Sequence, residues 1–164
     1  MPISSGSNAG HHGVVVDREA IDALLRQNRV ADVFTVVPMG QVAEAWVAYH
    51  TGSKSYDDPN YWAEQVADAP NIDSPGDLLR QFIAKVVEVA PDDALHSVGC
   101  LLLDKFLEFD EQSVDWLVGQ AGASARFREA LGHLSGFNLD EASDEAVELL
   151  ERAAGVSLPR WRRS

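Results

Sequence analysis

A chain of 164 residues with 46% hydrophobic composition can bury one proper core and leaves little room for a second domain. Its formal charge of −13 argues against free nucleic acid as a direct ligand, because phosphate binding needs Lys and Arg to displace condensed counterions. The single cysteine, Cys100, excludes an intramolecular disulfide framework; with no apolar run near the ~20 residues of a membrane helix, a soluble cytoplasmic protein is expected, with no membrane partner.

Residues 1–13 are expected to be a flexible N-terminal segment, since Ser4 to Gly13 has no aliphatic side chain larger than alanine. His11 and His12 lie there without the further ligands that a metal site needs. Asp17 is placed to cap a helix through about Asn28, with Ile21, Leu24 and Leu25 on one face. Val33 to Val37, VFTVV, is β-branched and reads as a short extended segment, beside Val14 to Val16, or as a helical connection; Pro38 argues against a sizeable sheet. Gly40 to His50 then resumes helical spacing, with Val42, Trp46 and Tyr49 on one stripe.

After the turn-rich TGSKSYDD, Asp58 and Pro59 open a helix over Asn60 to Asp68. Ser74 and Pro75 repeat the device ahead of Leu78, Leu79, Phe82, Ile83, Val86 and Val87. Asp92 and Asp93 follow Pro91 at the start of the next helix, where carboxylates favour the N-terminal dipole. That helix, Leu95 to Phe109, is apolar on nearly every side and is expected to be surrounded by others; Gly99 would admit a close neighbour. Val114, Leu117, Val118 and Ala121 form a further helix up to Gly122, and Ser124 caps one burying Phe127, Ala130, Leu131 and Leu134. A last helix from about Asp140 carries Val147, Leu150 and Ala154 before Gly155. The expectation is an all-α, single compact domain of about six or seven helices over 14–158, followed by a basic tail at 159–164.

Several segments together resemble a family of small bacterial helical domains catalogued as domain of unknown function 6869. They are AEAWVAYH at Ala43 to His50, the Tyr-Trp of NYWAEQ, VAPDDAL, VGCLLLDKFLEF and ARFREAL, spanning about Gly40 to Leu134. In that family a proline, leucine and acidic residue usually follow the central glycine. Here Gly99 precedes Cys100 and three leucines, with Asp104 the nearest acid. The resemblance implies a helical fold and lends no activity.

Chemistry-bearing residues are sparse. His96, Cys100 and Asp104 are four apart and would stack on one α-helical face, yet neither a four-ligand zinc site nor a nucleophile with its base is completed nearby. The pairs Asp57 with Asp58, Asp92 with Asp93, and Glu111 with Asp115 stand at helix starts, where capping explains them. His50 and His133 stand near helix ends, where the dipole favours a cation. No glycine-rich phosphate loop is present, so no cofactor, metal or catalytic residue is assigned.

Two candidate sites are left. Glu141, Asp144, Glu145, Glu148 and Glu151 make an acidic last helix suited to a basic protein partner, ahead of Arg160, Trp161, Arg162 and Arg163. Trp46, Tyr49, Tyr61 and Trp62 would either line an aromatic cleft or fill the core. The leading expectation is a protein-binding module, in its sharpest form an immunity-type inhibitor of a basic toxin or nuclease. A small-ligand binding protein or enzyme with the aromatic cleft is the alternative.

Overall fold

In the computed structural model, which describes residues 17–52, 54–68, 77–107, 113–135 and 143–159, Asp17 performs its expected role. Its carboxylate accepts the Ala20 N–H at 3.1 Å and opens α1, Arg18–Arg26, whose Ile21 is fully buried. Asn28 ends the helix in the left-handed region, φ 58°, a conformation its short polar side chain tolerates. The Arg29 and Asn28 amides then donate to the Leu24 and Leu25 carbonyls, satisfying the last turn.

Val33–Val36 forms α2, one helical turn, so of the two readings of VFTVV the helical connection holds and the extended segment is corrected. Among the described residues no strand is available to pair with it, and an isolated strand leaves backbone groups unsatisfied. The turn pairs them locally: Val37 N–H donates to the Val33 carbonyl, and the Thr35 hydroxyl to the Asp32 carbonyl. Only Val37 takes extended dihedrals, directly before Pro38. Val14 to Val16 lie outside the described residues.

The chain divides into two compact units, Met1–Leu79 and Arg80–Ser164, where the sequence suggested one domain. In the first, α3, Met39–Thr51, packs along α4, Tyr61–Asp68, while α1 contacts both α2 and α4. Asp58 Oδ1 accepts the Asn60 N–H at 2.8 Å just before α4. Val42, Ala43, Trp46, Trp62, Ala63 and Val66 supply buried side chains of these two helices.

The boundary falls inside α5, Asp77–Val89, which buries Phe82, Ile83, Val86 and Val87. Its C-terminal end is tied by Arg126, whose guanidinium donates to the Val87 and Ala90 carbonyls and pairs with Asp92 at 2.6 Å. Ser74 and Pro75 lie outside the described residues. A 3₁₀ turn over Asp92–Ala94 leads into the central helix, which changes winding twice: α6, Leu95–Ser97, then a π-helical stretch Val98–Leu103, then α7, Asp104–Phe106. The Asp104 N–H reaches back to the Gly99 carbonyl, a bond that marks the wider π turn.

A Cβ built on Gly99 would lie 2.1 Å from the Ala130 carbonyl oxygen and 2.7 Å from His133 Cβ, so only glycine fits this approach. Leu95, Val98, Leu102, Leu103 and Phe106 are buried as expected. The enclosure is incomplete, however: Leu101 is 41% exposed and Cys100 half-buried, because the π turn carries these positions toward solvent. Phe109 lies outside the described residues.

The second unit is completed by α8, Ser113–Ala123; α9, Ala125–Leu131; and α10, Asp144–Ala154, which packs on both. Trp116 meets the Phe106 and Phe127 rings edge to face at 5.5 and 5.6 Å. Ser124 and Ser143 cap α9 and α10 by accepting the Phe127 and Ala146 amides. Gly155 closes α10 at φ 78°. Every regular element among the described residues is helical, in more and shorter pieces than the six or seven expected. No described helix is long and apolar enough to cross a membrane.

Candidate binding site

On α10 the 3.6-residue period separates two faces. Val147, Leu150 and Ala154 are buried, while Asp144, Glu145 and Glu148 are exposed along the outward side. Glu151 is half-buried, and its Oε2 accepts the Leu158 N–H at 2.7 Å, fastening the chain beyond Gly155. Glu141 and the basic residues Arg160 to Arg163 lie outside the described residues.

The aromatic candidates belong to the first unit. Trp46 and Trp62 are buried, as is Tyr49; Tyr61 is partly exposed. Tyr49 and Tyr61 have ring centroids 5.7 Å apart, and Tyr61 meets Tyr56 edge to face at 5.1 Å. The indoles therefore contribute to the interior, and the tyrosines lead from it to the surface.

Within this cluster lies a pair that sequence reading missed. His50, attributed there to a helix-end dipole, is buried to 8% side-chain exposure, and its Nε2 lies 2.7 Å from Glu64 Oε1. Trp46 and Tyr49 flank its imidazole at 4.2 and 5.0 Å. Nδ1 is buried with no hydrogen-bond partner. Burial pushes the Tyr49 hydroxyl above its usual pKa, and the surrounding Glu64, Tyr61, Asp58 and Tyr56 push in the same direction. The 14-residue separation of His50 and Glu64 left no local spacing signal. Tyr56, in the turn before α4, was likewise not singled out, although it is 83% exposed.

The third constellation is taken apart by the π turn. His96 is exposed, Cys100 half-buried and Asp104 buried, so four-residue spacing no longer stacks them on one face. His96 instead meets His133 edge to face at 5.1 Å, and His133 lies 3.7 Å from Glu129. Among the described residues, no group of three or more His, Cys, Asp or Glu is placed to hold a metal ion. Arg128, Glu129 and His133 rim a depression of about 410 Å³ whose apolar lining includes Ala125, Ala154 and Val156. Asp92 is engaged by Arg126 and Asp58 by the Asn60 amide, whereas Glu111 lies outside the described residues.

Comparison with known proteins finds no matching family model, no similar curated protein and no similar solved structure.

Proposed function

We propose that this chain is an acidic, all-helical protein-binding module with a basic partner, acting in the bacterial cytoplasm as one helical domain. Its sharpest form is an immunity-type inhibitor that occupies the cationic site of a toxin or nuclease. The observation that carries this reading is the outward face of α10, where Asp144, Glu145 and Glu148 are exposed opposite the buried Val147 and Leu150. Such a row, in a chain of net charge −13, steers a basic protein toward it and favours fast association. The resemblance to domain of unknown function 6869 supports the helical part of the proposal and is silent on activity.

Capture from native lysate at low and high salt tests the reading. Association is expected to weaken steeply with salt, since screening shortens the field to about 8 Å at physiological ionic strength. Glu145→Lys with Glu148→Lys should reduce capture while preserving helix content, both side chains being exposed. Recovery of no partner at low salt, or recovery indifferent to charge reversal, would reject the module.

A second reading, a small-ligand binding protein or enzyme using the aromatic cluster near Trp46, Tyr49 and Trp62, draws on the buried His50–Glu64 pair beside those rings. It expects native mass spectrometry to detect a co-purifying small molecule that Glu64→Gln releases. Protein free of any adduct would count against it.

A further inference from the structure

We propose that Tyr56 and Tyr61, with the carboxylates of Asp57 and Glu64, form an anchor for one arginine or lysine side chain of a protein partner. The proposal rests on the basic-partner reading above and gives that partner a contact made by residues other than those of α10.

The first support is geometric. Tyr56 is 83% exposed, yet its ring is held at 88° to Tyr61 with centroids 5.1 Å apart. In an edge-to-face pair at least one ring keeps its faces clear of the other, and the exposure of Tyr56 leaves a face open to solvent. The negative face of a phenol attracts a guanidinium or ammonium within about 6 Å of its centroid. Tyr61 is backed by Tyr49, which is buried, so the ring against which Tyr56 rests is held in place before a ligand arrives. Arg18 steadies the same turn from outside by donating to the Pro59 carbonyl at 2.8 Å. Tyrosine is also among the residues enriched at interface hot spots.

Charge supplies the second support. Asp57, beside Tyr56, is exposed, and Glu64 follows Tyr61 by one helical turn with its side chain 30% exposed. Asp58 adds a third carboxylate in the turn, its Oδ1 occupied by the Asn60 amide. Behind the rings, burial raises the Tyr49 hydroxyl first, and the carboxylates of Glu64 and Asp58 are among the groups that raise it further. Against these stand Lys54 in the same turn and Arg18, which is shared with Asp22 at 3.7 Å. His50 is held on Glu64 Oε1. The carboxylates outnumber the cations, so the open ring face is complementary to a positive group.

The test uses the full chain at low ionic strength with two peptides as probes, tetra-arginine and its uncharged analogue tetra-citrulline, followed by NMR of the tyrosine rings. Tetra-arginine is expected to move the Tyr56 and Tyr61 ring resonances saturably, and tetra-citrulline to leave them in place. Tyr56→Leu should weaken tetra-arginine binding about three- to five-fold, the scale of one exposed cation–π contact. Tyr56→Phe should retain it, because the ring face survives. Glu145→Gln with Glu148→Gln should leave the ring shifts intact. Binding that moves only α10 resonances would overturn the anchor and leave the module reading standing; no binding at all would tell against both. An equal response to tetra-citrulline, or a tighter response to tetramethylammonium than to tetra-arginine, would also overturn the anchor as a protein-side-chain site.

Discussion

Gly99 shows how narrowly a single position can be constrained. Gly99→Ala would push a methyl group into the Ala130 carbonyl and His133, both close enough that backbone must move. The expected loss is at or above the upper end of the about 1–3 kcal/mol typical of overpacking, read as a lower urea midpoint. The His50–Glu64 pair is constrained by polarity. Glu64→Leu would leave both imidazole nitrogens buried without partners and should cost about 1–3 kcal/mol, whereas Glu64→Gln keeps an acceptor and should cost less. Tyr49 adds a pH signature. Its folded-state pKa lies above the ordinary 10.0, so the unfolded chain releases that proton first as pH rises. The stability contributed is therefore present below about pH 10 and lost as pH climbs through the folded value. Thermal melts across that alkaline window should show a decline that Tyr49→Phe lessens.

At the scale of elements, the central helix and α10 offer contrasting tests. Leu102→Ala and Phe106→Ala should each cost about 2–5 kcal/mol through lost burial and a residual cavity, while Leu101→Ala, on the exposed side, should stay within about 0.5 kcal/mol. Equal denaturation midpoints for all three would reject the assigned faces. Ser143→Ala should remove about 1 kcal/mol by leaving the Ala146 amide uncapped, visible as a lower melting temperature. These elements also separate what sequence discloses from what it hides. Asp17 and Ser124 were legible as caps because a cap is a contact three residues long, whereas Ser143 was not, the last helix being expected from about Asp140. The stripes through Val147 and Leu150 were legible because one buried side imposes a period. Val33 to Val36 misled because β-branching is a weak preference that local pairing overrides. The His96, Cys100 and Asp104 stack failed because constant α-helical spacing was assumed across a π turn. His50 and Glu64 were illegible as a pair, since only the packing of α3 on α4 brings them together.

For the whole molecule, net charge acts in two opposed ways. Self-repulsion among the carboxylates of a chain at −13 weakens the folded state at low ionic strength, so modest salt should raise the melting temperature. The same salt should weaken association with a basic partner. A melting temperature that falls with added salt, measured on the isolated protein, would show that attractive pairs such as Arg126–Asp92 outweigh the general repulsion. Ligand-induced stabilisation should be read at fixed salt, where only binding to the folded chain contributes.

The π turn has a consequence for how the chain tolerates a change of length. Its Asp104 amide reaches five positions back where an ordinary helical amide reaches four, so the segment holds one surplus link. Excising Leu101, the exposed member, would let that amide meet the same Gly99 carbonyl at the ordinary spacing. The flanking segments would keep their orientation, and Leu102 and Phe106 would still face inward. Shortening a helix in the middle of a core ordinarily rotates everything downstream by about 100°. Here the deletion should be absorbed as the repair of a splice, leaving a folded protein in which Gly99 still seats against Ala130.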